Sequence, residues 1–317
     1  MPLVNSLDSP QGHSGDRSGS NESSNTPPQY SSTAGTPREA SDNLENENLI
    51  SDDLNNRPNA LGVETSTSDT CEDRAIDAKS SLKLLRLRNI GKVIVGYLNI
   101  NSVRNKLDAL MEIASQNLDI LMIAETKIDA TFPMGQFAIE GFATPFRLDR
   151  NANGGGLLVY VRSDIPSHQL KSFKFSDGVE CISFEINLRK KKWVLFSVYR
   201  PPTQSQDYLF ENLGRALDHY SENYENFMFM GDFNMTETEE QLKNFLDLYS
   251  LKNLVKEPTC YKSDTPRCID LVLTNQNRSV QQTTTVETGL SDFHKMIVTV
   301  LKTTFPKQGP TVINYRK

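Results

Sequence analysis

No run of residues in this 317-residue chain approaches the roughly 18–20 uninterrupted apolar positions that a spanning helix needs, which excludes a helical membrane protein. The start, MPLVNSLDSPQGHSGD, lacks the basic head and apolar core of a signal peptide. The protein is therefore expected inside the cell, nuclear or cytoplasmic, and not secreted. Cysteine is scarce: Cys71, Cys181, Cys260 and Cys268 show no C-x-x-C spacing, and a chain of this length needs no staples. They read as reduced thiols. Strong positive charge is missing as well. The formal net charge is −6, but residues 1–80 hold 14 acidic against 5 basic residues and the remainder 26 against 29. The mildly positive body suits a polyanionic substrate and falls short of the footprint of an obligate nucleic-acid binder.

The length alone suggests about two domains, yet 37% apolar and 23% charged residues describe one ordinary domain with a polar appendage. Residues 1–80 are rich in Ser, Asn, Asp, Glu, Thr and Pro, with Tyr30 their only aromatic. Such a segment cannot bury enough surface to offset its ordering entropy, so a disordered acidic leader is expected. The composition changes at Leu82–Leu87, and Val93–Ile100 is the first strong strand signal, which places a folded domain over residues 90–303. Residues 304–317 carry little apolar content and read as a linker.

Within the domain, Ile120–Ala124 and Gly156–Val161 are short apolar runs typical of buried central strands. Further strands are predicted at Glu180–Asn187, Trp193–Tyr199, Phe227–Met230, Ile269–Leu273, Gln281–Glu287 and Met296–Leu301. Ser102 is a candidate N-cap for a helix carrying Val103, Leu107, Leu110, Met111 and Ala114 on one stripe, and two more helices are predicted near 206–220 and 237–249. Strands outnumber helices about three to one. That ratio favours a four-layer α/β sandwich, two packed sheets flanked by helices, over a doubly wound sheet.

Polar groups follow the apolar strands, where active groups of layered α/β proteins tend to sit. In Phe227-Met228-Phe229-Met230-Gly231-Asp232-Phe233-Asn234 a buried strand leads into a carboxylate and an amide that share one face of an extended chain. Asp232 could take a proton from water and Asn234 hold that water, or the pair could form an Asx turn. Asn99 and Asn101 repeat the spacing after the first strand, and Glu125 follows Ala124. These hard oxygen ligands suit Mg²⁺, although Asn101 could instead cap a helix and Glu125 pair with Lys127. Asp270 lies among apolar neighbours and needs a partner, structural or functional. Of four histidines, His13 lies in the leader, His168 follows a loop and His219 falls in a helix. His294, in Ser291-Asp292-Phe293-His294, alone stands at a strand end beside a carboxylate.

Taken in order, Leu98-Asn99-Ile100-Asn101, Ala124-Glu125-Thr126-Lys127, Gly231-Asp232-Phe233-Asn234 and Ser291-Asp292-Phe293-His294 resemble the motifs of the endonuclease/exonuclease/phosphatase superfamily of metal-dependent phosphoesterases. Tyr199-Arg200-Pro201-Pro202 and Ile269-Asp270-Leu271-Val272-Leu273-Thr274-Asn275 are similar to the endonuclease domain of non-LTR retrotransposons, without the polymerase motif that follows there. The resemblance implies an enzyme: a DNA-nicking, metal-dependent endonuclease acting on double-stranded DNA through backbone contacts, with no membrane or protein partner indicated. It implies that Glu125, Asn101 and Asp292 hold Mg²⁺, or Mn²⁺ in its place. It further implies that Asp232 handles the attacking water with Asn99 and Asn234, and that His294, oriented by Asp270, and Tyr199 bind phosphate oxygens. Arg104, Arg147, Arg150, Arg162 and Arg200 would position phosphates, their alternative being ordinary solvated side chains.

Two features depart from the family pattern. Phe293 separates Asp292 from His294, so either the backbone bulges to restore the imidazole or Phe293 takes its place. Pro202 stands where many relatives carry a phosphate-binding asparagine. The rival readings are a phosphatase of soluble phosphoesters on the same fold, and a weakened retroelement remnant serving as an interaction module.

Overall fold

The computed structural model describes residues 71–304. The chain runs through α1 (Cys71–Arg88), β1 (Lys92–Asn99), α2 (Leu107–Asn117), β2 (Ile120–Ala124), β3 (Phe146–Leu148), β4 (Leu157–Val161), β5 (Ser167–Gln169), β6 (Glu180–Leu188) and β7 (Lys191–Tyr199). It continues through α3 (Gln206–Ser221), β8 (Asn226–Asp232), α4 (Glu240–Leu248), β9 (Lys252–Asn253), β10 (Asp270–Thr274), β11 (Val280–Val286) and β12 (Met296–Thr304). One six-stranded sheet has the order β11-β12-β1-β2-β4-β3 and the other β5-β6-β7-β8-β10-β9.

Period-two alternation builds the layers. Along β1, Val93, Val95 and Tyr97 face the other sheet, where they meet Leu195, Met228, Met230 and Val272. Ile94 and Leu98 face outward onto Leu110, Ile113 and Ala114 of α2. The second sheet does the same: Phe196 and Phe229 point outward, stack at 4.2 Å, and are covered by α3 and α4. The result is helices, sheet, sheet, helices, the sandwich expected from the strand-rich pattern.

Each sheet contains one parallel pair, β1 with β2 and β7 with β8, flanked by antiparallel neighbours. Asn99 lies opposite Ala124 in the first pair and Tyr199 opposite Asp232 in the second, so each pair ends level. Asp270 opens β10 opposite Asp232. The hairpin between β6 and β7 turns on Arg189 and Lys190, both at positive φ, as a tight two-residue turn requires.

Two expectations are corrected. The helix read from Ser102 starts at Leu107, because Ser102 (φ 89°) and Val103 are tied to the chain beyond β2 by bonds to Glu125 O and Thr126 O. Residues 71–80, read as part of the disordered leader, lie in α1. Leu82 of that helix is fully buried, and Arg86 pairs with Asp119 at 2.7 Å. The two- and three-residue strands β3, β5 and β9 escaped notice because they are too short to show a period. Residues 1–70 of the leader and 305–317 of the C-terminal segment lie outside the described residues.

Candidate active site

The same alternation that fills the core aims the polar residues at its end. Asn99 follows Tyr97 on the inner face of β1, Tyr199 follows Leu195 and Ser197 on β7, and Asp232 follows Met228 and Met230 on β8. All three are buried. Asn99 Nδ2 then joins the two sheets, donating to Glu125 Oε1 and to Asp232 Oδ2, each at 2.9 Å. Gly231 lets β7 and β8 approach: a Cβ there would lie 2.3 Å from Val198 O.

Asp232 is held by an Asx turn in which Asn234 N–H donates to its Oδ1 at 2.9 Å. The turn and the site are thus one feature, since this turn is what presents the carboxylate. Asn101 N–H makes the same bond to Asn99 Oδ1 at 3.2 Å. Asn101 (φ 50°), Glu125 (φ 52°), Lys127 (φ 53°) and Asn234 (φ 49°) all adopt the left-handed conformation that L residues avoid. Strain of this kind gathers at sites that the surrounding structure over-determines.

The deep half of the site is Asp232, Asp270 and His294, whose ligand atoms lie within 4.8 Å of one another. His294 Nδ1 is 2.8 Å from Asp270 Oδ2, while the buried Asp270 Oδ1 has no hydrogen-bond partner. Burial and the Asp270 charge push the Asp232 carboxyl up to about 7. Burial alone would lower the His294 imidazole, but the hydrogen bond and charge of Asp270 dominate and raise it to about 11. The inserted Phe293 is resolved as a bend: residues 291–293 loop out, His294 N–H reaches Ser291 Oγ at 3.3 Å, and Phe293 points to solvent at 39% exposure.

The outer half is Glu125, Asn101, Lys127 and Asp292. Burial would raise the Glu125 carboxyl, yet hydrogen bonds from Asn99 and Tyr199 and the Lys127 charge hold it below its usual value. Lys127 Nζ lies 3.4 Å from Glu125 Oε2 and donates to Asn101 Oδ1, and Asn101 Nδ2 donates to Asp292 Oδ2 at 2.9 Å. Oxygens of Glu125 and Asn101 thus already cradle a cation, the Lys127 ammonium. This donor set fits a hard divalent metal, and the deep trio, with its unpaired carboxylate oxygen, offers a second such set.

All nine residues predicted for the site therefore line one connected region, Asn234 through its backbone and through Nδ2, which donates to Arg200 O at 2.7 Å. The five arginines expected to position phosphates are instead occupied. Arg200 is buried and clamps Phe233 O, Asn234 O and Gln204 O. Arg147 pairs with Asp149, Arg162 with Asp119 and Asp164, and Arg150 with the buried Glu180 at 2.8 Å. Arg104 spans Lys127 O and Ala152 O. Sequence reasoning missed Tyr97, whose buried hydroxyl accepts the Asp232 N–H at 2.7 Å, and Thr259, whose Oγ1 accepts Asp270 N–H at 3.0 Å. Tyr97 carries a signal, a phenol two residues before Asn99 on the inner face; Thr259, in a loop, carries none.

The pattern of the Endonuclease/Exonuclease/phosphatase family matches residues 96–292, more than half of the chain. No curated protein matches it by sequence. Among solved structures it is similar to the endonuclease domain of TRAS1, a telomere-specific non-LTR retrotransposon, with 16% identity, 66% of this chain and 98% of that one covered, and a TM-score of 0.54. The 3′ phosphatase NExo from Neisseria, bound to a product DNA hairpin, aligns at 14% identity, 66% and 99% coverage and TM-score 0.54. The AP endonuclease LMAP from Leishmania major aligns at 12% identity, 78% and 92% coverage and TM-score 0.55. At these identities the likeness is one of fold.

Proposed function

The chain belongs to the endonuclease/exonuclease/phosphatase family, and from that premise we propose that it is a Mg²⁺-dependent phosphodiesterase that nicks double-stranded DNA, of non-LTR retrotransposon kind. The observation that carries the reading is the Asn99 bridge between Glu125 and Asp232, which joins a cation cradle to a proton-accepting carboxylate. The TRAS1 endonuclease domain, alike in fold, and the retroelement-like segments around Tyr199 and Asp270 favour DNA over other phosphodiesters.

Asp232 orients a water for in-line attack on phosphorus and accepts its proton; an acid that titrates near neutrality suits that task. The new P–O bond forms as the bond to the departing sugar oxygen breaks. His294, held by Asp270 and carrying a proton at neutral pH, donates to a non-bridging phosphate oxygen where negative charge builds. Asn99 keeps Asp232 and Glu125 at a fixed separation, the Asn234 N–H fixes the Asp232 carboxylate, and the Tyr97 hydroxyl fixes its backbone. Tyr199, hydrogen-bonded to Glu125 here, is placed to turn its hydroxyl to a second phosphate oxygen. A divalent cation held by Glu125, Asn101 and Asp292 would neutralise charge on the phosphate and the leaving oxygen.

Incubation of supercoiled plasmid with protein and Mg²⁺ tests this directly. Nicked circles that vanish with chelator and in Asp232→Ala are expected, and intact plasmid with both proteins across a range of salt contradicts the reading. The fold likeness to a 3′ phosphatase motivates a second reading, phosphomonoester hydrolysis, which inorganic phosphate release without nicking would favour.

A further inference from the structure

We propose that Phe293 and Tyr261 form a stacking rim beside the phosphate site that receives unstacked bases of a nucleic-acid strand, an inference that rests on the phosphodiesterase reading above. Because His294 turns inward to Asp270, the residue inserted before it must turn outward, and Phe293 is 39% exposed. Tyr261, 40% exposed, lies beside it, its N–H donating to Phe293 O at 2.8 Å. Cys260 pairs with His294 and Lys295 N–H reaches Thr259 O at 2.9 Å, so the two segments run side by side. Each segment lends a lysine to the other's ring: Lys295 Nζ is 4.4 Å from the Tyr261 centroid and Lys262 Nζ 5.8 Å from that of Phe293.

Two exposed aromatic faces under ammonium groups, one residue from a phosphate-binding imidazole, match the chemistry of a single strand. Lysines move to phosphates and ring faces take bases, a contact that tolerates any sequence. The local charge agrees, with Lys262, Arg267 and Lys295 against Asp264 and Asp292. Asp292 already faces Asn101. A protein partner or a second copy would not need lysines in this crossed arrangement.

The test uses Phe293→Trp, because the chain's single tryptophan, Trp193, is 1% exposed in the core and leaves the new indole as the reporter. The protein is titrated, in chelator, with a duplex carrying a short unpaired bubble and with its fully paired counterpart. Quenching of the new indole is expected, stronger with the bubble. Phe293→Leu, which keeps bulk and loses the aromatic face, should bind the bubble roughly ten-fold more weakly, with an unchanged melting temperature. Equal affinity of Phe293→Leu and the wild type, or an indole in Phe293→Trp that neither duplex quenches, overturns the rim, as does self-association abolished by Phe293→Leu. If instead the wild type nicks no plasmid, the phosphodiesterase reading falls, an outcome read separately from the aromatic dependence.

Discussion

The two sheets contribute unlike halves to one site. From the second sheet come Asp232 and Asp270, almost sealed from solvent, packed against each other and His294, with one carboxylate oxygen left unpaired. From the first come Asn99 and the wetter trio of Glu125, Asn101 and Lys127, where the carboxyl is held ionised by hydrogen bonds and a neighbouring ammonium. At Asp232, burial and the Asp270 charge outweigh the His294 imidazolium, whereas at Glu125 the hydrogen bonds from Asn99 and Tyr199 and the Lys127 charge outweigh burial. A single fold thus sets a carboxyl raised toward neutrality beside one kept charged, separated by one asparagine.

The largest expected effect breaks the deep half. Asp232→Asn should lower Mg²⁺-dependent nicking about 10³-fold, with no recovery as Mg²⁺ is raised. Glu125→Gln should cost about 10–100-fold at fixed Mg²⁺ and regain most of it at higher Mg²⁺. Recovery of both, or of neither, would erase the distinction between the halves. Asp270→Asn removes the partner of His294 and should reduce kcat about 10²-fold with little change in KM, measured on the same plasmid.

Stability sharpens the comparison further. Gly231→Ala would drive a methyl into Val198 O and should destabilise by about 1–3 kcal/mol, or roughly 2–4 °C in Tm per kcal/mol. Asp232 carries a folded-state pKa raised to about 7, so its contribution is complete below the unfolded value and is lost as pH rises through about 7. In chelator, Asp232→Asn should therefore melt higher than the wild type at pH 8, on the order of 10 °C, and the gap should narrow steadily as pH falls toward about 4. A difference of opposite sign would show that Asp232 is not held protonated by its surroundings.

Much of this was legible in the chain itself. Central strands buried on both faces read as unbroken apolar runs, as at Ile120–Ala124, and a polar residue ending such a run, as Asn99 and Asp232 do, stands out against it. The partners were not legible. The Arg200 side chain looked free because a sequence does not reveal that three loop carbonyls surround a guanidinium. The start of α2 was misplaced because the apolar stripe from Val103 continues through residues bonded to the chain after β2. Thr259 supports Asp270 from a loop, where no period marks it. Whether Asp232 sat in a turn or a site was a false choice, since the turn presents the carboxylate.

Binding of Mn²⁺, followed by the loss of its free electron paramagnetic resonance signal, separates the halves without any substrate. Glu125→Gln should weaken binding at least ten-fold while Asp232→Asn leaves it within about two-fold of the wild type. Loss of binding in Asp232→Asn with binding intact in Glu125→Gln would put the cation in the buried trio and leave the outer cradle to Lys127.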